Sequence, residues 1–217
     1  MMETSRTMPG MAMPTPIELA ELLASRLVHE LVGPVGGVSN GVELLSELGD
    51  ADEETVALLA DSAGRASRKL QFYRLAYGHA GRSRASLDML KSVVDGYLDK
   101  TAVSSLWAVE QNAPVLAFPG IGKCLLLAVE IGAAALLRGG RMTVTADHSE
   151  ISVSAHGPQA TLKPEIRALL SAGRPNEEVT ANTVHAAYLQ YLVFELGGRF
   201  QIDTDTESVD IRIAFPD

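Results

Sequence analysis

Two long stretches of the chain place apolar residues at alternating intervals of three and four, the spacing that buries one side of an α-helix. The first covers residues 17–48 and the second residues 52–77, with Gly49 and Asp50 between them. This pattern predicts two helices folded back on each other as an antiparallel hairpin. The apolar positions, which we call the seam, are Ala20, Ala24, Leu27, Leu31, Val35, Val38, Val42 and Leu45 in the first helix, and Val56, Leu59, Ala63, Ala66, Leu70, Tyr73 and Tyr77 in the second.

One hairpin cannot bury the seams of both helices well. A second copy of the chain would cover the remainder, so we expect a homodimer in which two hairpins form a four-helix bundle.

The rest of the chain has a mixed pattern, and the fold class predicted for the whole is α+β. We expect residues 1–16 to be a disordered tail, residues 17–80 to be the hairpin and residues 85–217 to be a small α/β sandwich. The polar, glycine-bearing stretch 78–84 is interpreted as a hinge or linker. The predicted strands are 106–109, 115–118, 142–146, 151–155, 199–203 and 209–215, and the predicted helices of the second domain are 87–98, 121–137, 164–171 and 180–196.

Composition narrows the possible functions. A net charge of −9 over 217 residues argues against nucleic-acid binding, which requires clustered lysine and arginine. No apolar run approaches the ~20 residues of a membrane helix, and residues 1–16 lack the features of a signal peptide. The single cysteine, Cys124, cannot form an internal disulfide. We therefore expect a cytoplasmic protein without a membrane partner.

The first helix contains a short motif that points to chemistry. His29 is followed directly by Glu30, and Pro34 stands five residues after the histidine. This order resembles the H-box of two-component histidine kinases, in which the histidine carries a phosphoryl group. The segments LASRLVHELVGPVGGVSNGVELL (residues 23–45) and LVFELGGRFQI (192–202) extend the resemblance to the ChpT-type histidine phosphotransferases. It implies a dimeric hairpin followed by a degenerate domain of the histidine-kinase ATPase type.

The chain departs from the kinase pattern at three nucleotide-binding elements. The helix at residues 125–137 has no asparagine to hold magnesium, Ala155 stands where an aspartate would bind adenine, and residues 182–187 contain no glycine for a lid. These changes remove the metal ligand, the adenine acceptor and the backbone cradle for phosphate. We expect no cofactor and no ATP-dependent kinase activity, with Mg²⁺ supplied by a partner receiver domain.

His29 has the chemistry of a phosphoryl carrier. An ordinary imidazole has a pKa near ~6.5, so a neutral, nucleophilic ring is present at cytoplasmic pH. At about 100° per residue, His29 lies far around the helix from Leu27 and Leu31, which predicts that it faces away from the seam. We assign His29 as the phosphoacceptor. In the family pattern Glu30 is its acid–base or orienting partner, and the alternative for Glu30 is an ordinary solvated charge.

A receiver domain would contact the helices around His29. Pro34 and its neighbouring glycines disfavour a helix, so either the helix breaks there or the small residues admit a close partner. Counting from the turn places Phe72 level with His29, where it and the preceding basic residues would complement an acidic pocket; alternatively these are solvated charges and a packed ring. The predicted partner-binding residues are Arg26, Gly33, Gly36, Gly37, Asn40, Arg65, Arg68, Lys69 and Phe72.

The sequence thus predicts a protein histidine phosphotransferase of a two-component phosphorelay. The resemblance implies the receiver domain of a hybrid histidine kinase as donor and response regulators as acceptors, with no nucleic-acid partner. A divergent active histidine kinase and a receiver-binding scaffold that transfers nothing are the alternatives.

Overall fold

The computed structural model describes residues 14–48, 52–109, 113–171 and 178–216. Most of the predicted tail and the turn residues Gly49 and Asp50 lie outside these ranges. Within them the chain forms six α-helices, two 3₁₀ helices and five β-strands, so the mixed α+β class is confirmed. None of the helices in this part of the chain is both long and apolar enough to cross a membrane.

The first two helices pack side by side and run in opposite directions. Helix α1 spans Pro16–Leu48 and α2 spans Glu53–Ala76, so all four predicted ends are correct to within one residue. Asp52 begins α2 because its carboxylate accepts a hydrogen bond from the Thr55 amide at 2.6 Å. The regular apolar spacing was therefore sufficient to locate both helices.

Helix α1 continues through Pro34 without a break, so the alternative of a broken helix is wrong. Proline has no amide hydrogen, and the carbonyl oxygen of Glu30 consequently lacks its donor within the helix. Lys69 of α2 replaces that donor, since its Nζ lies 3.3 Å from the Glu30 carbonyl oxygen. The cost of the proline is thus reduced by a side chain of the neighbouring helix.

Two of the glycines in α1 serve the contact between the helices. A Cβ atom at Gly37 would lie 2.8 Å from the Ser62 Oγ, and one at Gly41 would lie 2.6 Å from the Leu59 Cγ. Gly37, which was predicted to bind a partner, thus faces α2, whose Ser62 fills the space beside its Cα atom. Gly33 and Gly36 remain open, since a Cβ atom added at either would meet nothing within 4 Å.

Part of the seam is uncovered in the single chain. Val35 is 51% exposed, Val42 52%, Val56 46% and Leu70 51%, although each occupies an apolar position of the repeat. Leu27, by contrast, packs against the core. One hairpin therefore leaves an apolar strip open, as the repeat predicted.

The remaining strands form one five-stranded sheet in the order β1-β2-β3-β5-β4. Strands β1 and β2 are parallel, and every other neighbouring pair is antiparallel. Buried side chains alternate along β2, β3 and β5, so one face of the sheet carries the core. The strands are β1 (Val103–Val109), β2 (Gly140–Ala146), β3 (Glu150–His156), β4 (Arg199–Thr204) and β5 (Ser208–Ala214).

Helix α4 is the centre of the second half of the molecule. It packs against β3, β5, α2 and α6, and nearly all its side chains are buried. Gly132 allows close packing, because a Cβ there would lie 3.1 Å from the Val153 Cγ1 on β3. The other helices are α3 (Leu87–Leu98), α4 (Ile121–Ala135), α5 (Pro164–Leu170) and α6 (Val184–Glu195).

One predicted strand is wrong. Residues Pro114–Ala117 form a 3₁₀ helix in place of the strand expected at 115–118. Proline stands at the first position of this turn, where its fixed φ angle favours a helical start and its missing amide disfavours a strand ladder. Val115 and Leu116 are buried. Their apolar side chains therefore predicted burial correctly but did not predict the backbone conformation.

Candidate functional site

His29 is exposed on α1, on the side of the helix away from Leu27. It borders a cleft of about 480 Å³ between α1 and the second half of the chain. The helical phase predicted this orientation from the sequence. A partner macromolecule can therefore reach the imidazole ring without any rearrangement of the core.

Glu30, the neighbour of His29, is held in place by Lys69. The Lys69 Nζ donates to the Glu30 Oε2 at 2.8 Å and also to its carbonyl oxygen. Burial opposes ionisation of this carboxyl, but the hydrogen bond and charge of Lys69 outweigh it and lower the Glu30 pKa. Glu30 is therefore an oriented carboxylate rather than the ordinary solvated charge of the alternative.

Arg26, one turn before His29, is tied to the second half of the chain. Its Nε and Nη2 donate to the Glu130 Oε1 at 3.1 and 2.6 Å. The Tyr77 hydroxyl donates to the Glu130 Oε2 at 2.6 Å, and the Glu130 side chain is 1% exposed. Burial raises the Glu130 pKa, while the guanidinium and the phenol oppose it. Three donors on one carboxyl group are the arrangement expected for a carboxylate, which makes this a buried ion pair.

The prediction that Arg26 contacts a partner is consequently wrong. The Arg26 side chain is 13% exposed and its hydrogen bonds are used within the molecule. We call Arg26, Tyr77 and Glu130 the clamp, because they join both helices of the hairpin to α4. The clamp fixes the helix that carries His29 relative to the sheet.

A second buried contact lies at the other end of α4. Lys123 is 2% exposed, and its Nζ donates to the Tyr188 hydroxyl at 2.9 Å and to the Tyr77 carbonyl oxygen at 3.2 Å. Burial lowers the Lys123 pKa to about 8. The end of α2 is therefore held at two points of the same helix.

Phe72 does not belong to a partner surface. It is 0% exposed, and its ring stacks on Tyr97 of α3 with centroids 4.0 Å apart. The alternative of a packed ring is thus correct, although the ring packs against α3 rather than within the helical bundle. An aromatic pair of this kind adds about 0.5–1.5 kcal/mol to the burial of both rings.

Two further basic residues of α2, Arg65 and Arg68, are paired with acids of the same chain. Arg65 contacts Asp61 at 3.0 Å, and Arg68 contacts Asp99 at 2.9 Å. Arg65 remains 51% exposed, so its guanidinium is still accessible. Of the predicted partner surface, Gly33, Gly36, Asn40 and Arg65 remain open beside His29.

One of the three elements that depart from the kinase pattern has a packed residue at the position in question. Ala155 lies in β3, is 0% exposed and pairs with Met142 and Val209 of the flanking strands. Within the described residues, no three His, Cys, Asp or Glu side chains are grouped so that they would hold a metal ion.

The sequence did not reveal the second wall of the cleft. It is lined by Thr161, Lys163 and Asn182 from the region between α4 and α6, and by His185 of α6. Glu130 was also missed, although an acid in the middle of the apolar run 121–135 was a sign that a buried partner would be required. Its partner lies 104 residues away in sequence, where no local pattern can show it.

Comparison with known proteins shows which class this fold belongs to. The family model described as the histidine phosphotransferase C-terminal domain matches residues 87–208. Protein phosphotransferase ChpT of Brucella abortus (strain 2308) is 33% identical over 199 residues, which cover 89% of this chain and 93% of the relative. The chain is therefore a protein phosphotransferase. More particularly, it belongs to the histidine phosphotransferase family, which confirms the resemblance drawn from the motif.

One solved structure agrees with this assignment. A bacterial phosphotransferase structure superposes with a TM-score of 0.80 at 29% identity, over 95% of this chain and 100% of that one. The Acinetobacter baumannii histidine kinase AdeS is a more distant match, with 12% identity, a TM-score of 0.46 and coverage of 86% and 96%.

Proposed function

We propose that His29 carries the phosphoryl group that this phosphotransferase passes between receiver domains of a two-component phosphorelay. The observation that carries the proposal is the placement of the ring. His29 is exposed on a continuous helix, next to a carboxylate that Lys69 holds in a fixed position. An exposed ring on a rigid helix can be approached by a partner's aspartyl phosphate in a defined geometry.

The proposed transfer requires no reactant besides the donor aspartyl phosphate, His29 and the acceptor aspartate. A neutral ring nitrogen of His29 attacks the phosphorus of a donor aspartyl phosphate, a P–N bond forms, and the P–O bond to the aspartate breaks. The remaining ring proton passes to Glu30 or to water. An acceptor aspartate then forms a new P–O bond, the P–N bond breaks, and the proton returns to the imidazole. Acidic residues of the receiver would hold Mg²⁺, which would supply charge stabilisation to the transferring phosphoryl group.

We propose that receivers dock on the open residues beside His29. Gly33, Gly36 and Asn40 continue along α1, and Arg65 faces the same region from α2. A glycine surface permits close approach, and an exposed guanidinium complements the acidic pocket of a receiver. The donor would be the receiver domain of a hybrid histidine kinase, and the acceptors would be response regulators.

We also propose that the protein is a cytoplasmic homodimer. The partly uncovered seam supports a four-helix bundle made of two hairpins, which residues 17–80 would provide. Residues 85–217 would then form a degenerate ATPase-like sandwich, consistent with a sheet covered by helices on one face.

The test of the phosphoacceptor is a transfer assay with a phosphorylated receiver domain. His29→Gln keeps the size of the side chain but lacks the nucleophilic nitrogen, so it should accept no phosphate. His148→Gln, at an exposed histidine far from the cleft, is the matched control and should transfer at the wild-type rate. Continued relay by His29→Gln would exclude the proposal.

The role of Glu30 can be separated in the same assay. If Glu30 exchanges the ring proton, Glu30→Gln should slow transfer by about 10²-fold or more. If it only orients the ring, the loss should be smaller and should be shared by Lys69→Met, which frees the Glu30 side chain and its carbonyl oxygen. Lys69→Arg should then recover part of the rate.

Independence from ATP is a separate prediction. The residue types that would bind adenine and the metal are absent from the sequence. A bound ligand stabilises a fold by RT ln(1 + [L]/Kd), so neither Mg·ATP nor ADP should raise the melting temperature. Labelled ATP should leave His29 unlabelled. Labelling by ATP in the absence of any other protein would instead identify a divergent active kinase.

A further inference from the structure

The cleft beside His29 has the features of a ligand site that the transfer reaction does not use. Its first wall is the hairpin, with Ser25, Arg26, His29 and Glu30. Its second wall comes from the far half of the chain. At about 480 Å³ the space is within the size range of small-molecule sites. The residues of the second wall that bear on binding are Ala134, Ala135, Lys163, Ile166, Ala181 and His185.

His185 is the first indication of a bound molecule. It lines the cleft and is 4% exposed, yet its Nδ1 has no hydrogen-bond partner among the described residues. Leaving a buried polar nitrogen unpaired is unfavourable, so such atoms usually have a protein, water or ligand partner. Burial lowers the His185 pKa to about 3, so the ring is neutral and offers a lone pair or one N–H to a partner.

The charges around the cleft provide the second indication. Arg26 and Lys163 are the cations of the lining, and Glu30 is its carboxylate. Lys69 already balances Glu30 and Glu130 balances Arg26, whereas Lys163 has no ion-pair partner in the described part of the chain. The positive charges of Arg26 and Lys163 both act on His185. The cleft therefore favours one negative charge, close to Lys163.

The apolar part of the lining defines the body of the ligand. Ala134, Ala135 and Ala181 have small side chains that leave room for a flat group, and Ile131 and Ile166 add larger apolar surface. We propose that the cleft binds a small organic acid with an aromatic or heterocyclic body, one anionic group and one group that hydrogen-bonds His185. The anionic group pairs with Lys163, and the body lies on the alanines.

Such a ligand would regulate phosphotransfer. It would lie against His29, and its negative charge would repel both a phosphoryl group and the acidic pocket of a receiver. Occupancy should therefore slow the reaction without unfolding the protein. The binding step stands on the cleft alone, and only this regulatory consequence rests on the proposed function of His29.

Anilinonaphthalene sulfonate is a suitable probe, since it combines a flat aromatic body, an N–H group and a sulfonate. Fluorescence titration of the full-length protein should show one saturable site per chain. Lys163→Glu and His185→Leu should each weaken binding by about tenfold, because each removes one polar contact. Lys91→Glu, at a lysine of α3 outside the cleft, makes the same charge change and should bind like the wild type.

His185→Leu gives a second readout that a purely structural histidine would not give. Removing an unpaired buried nitrogen should raise the melting temperature while it lowers affinity for the probe. Saturating probe should also slow phosphotransfer by the wild type more than by Lys163→Glu. Unchanged affinity in both cleft variants would place the probe on the exposed seam and overturn the inference. If the two cleft variants lose probe binding but still transfer phosphate through His29, the proposed function of His29 is unaffected.

Discussion

At the scale of single residues, the buried ring of His185 should make stability depend on pH. In the unfolded chain the ring has the ordinary value of 6.5, whereas burial, with Arg26 and Lys163, lowers its folded pKa to about 3. As the pH falls below 6.5, only the unfolded state binds the proton, so folding stability decreases by at most about 1.4 kcal/mol per pH unit. His185→Leu should abolish this contribution, about 2 kcal/mol at pH 5. Urea unfolding at neutral and acidic pH measures this contribution. An equal decrease of the unfolding free energy at acidic pH in the wild type and in His185→Leu would contradict the prediction.

The role of a residue could be predicted from the sequence where it depends on helical phase. Predictions failed where the role depends on contacts with residues distant in sequence. The exposure of His29 followed from its angle to Leu27 on the same helix. The burial of Phe72 depends on Tyr97, which belongs to another helix, and the pairing of Arg26 depends on Glu130, 104 residues away. No spacing within the hairpin contains that information.

At the scale of helices, the clamp should dominate the attachment of the hairpin to α4. Glu130→Ala leaves the Arg26 guanidinium buried without its partner and should cost about 3–5 kcal/mol of unfolding free energy. The double variant Arg26→Met with Glu130→Leu removes both charges and should recover most of that loss. Arg65→Ala breaks an exposed pair and should change stability by only about 0.3–0.5 kcal/mol. Chemical denaturation compares the three variants, and a loss for Glu130→Ala as small as that for Arg65→Ala would refute the prediction.

The helices and strands were predicted with an accuracy that depends on the length of the sequence pattern. The long helices were located to within one residue because many seam positions report the same period. The strand predicted at 115–118 rested on four apolar residues, and so short a run does not distinguish an extended conformation from a buried 3₁₀ turn. Pro114, just before that run, was the local sign against a strand.

At the scale of the whole molecule, the exposed seam predicts self-association. Leu70→Asp would place a charge in the dimer interface, while in the single chain this side chain is already 51% exposed. We expect the wild type to be a dimer by light scattering at micromolar concentration, and the variant to be a monomer with retained helical circular dichroism. Leu137→Asp, at a position 83% exposed and outside the hairpin, should remain dimeric. A monomeric wild type, or a dimeric Leu70→Asp, would refute the bundle.

The segment between the two halves has a consequence for how the molecule moves. The sequence predicts a hinge or linker at residues 78–84, but this stretch contains a 3₁₀ helix, His79–Arg82, in which Gly81 is buried. A Cβ at Gly81 would lie within 2.8 Å of the Lys123 Cγ, and Lys123 in turn bonds the last turn of α2. The segment is therefore a rigid, packed connection rather than a flexible linker. The two halves of the chain should tumble together in solution, so in the proposed relay the receivers would move to His29 and away from it.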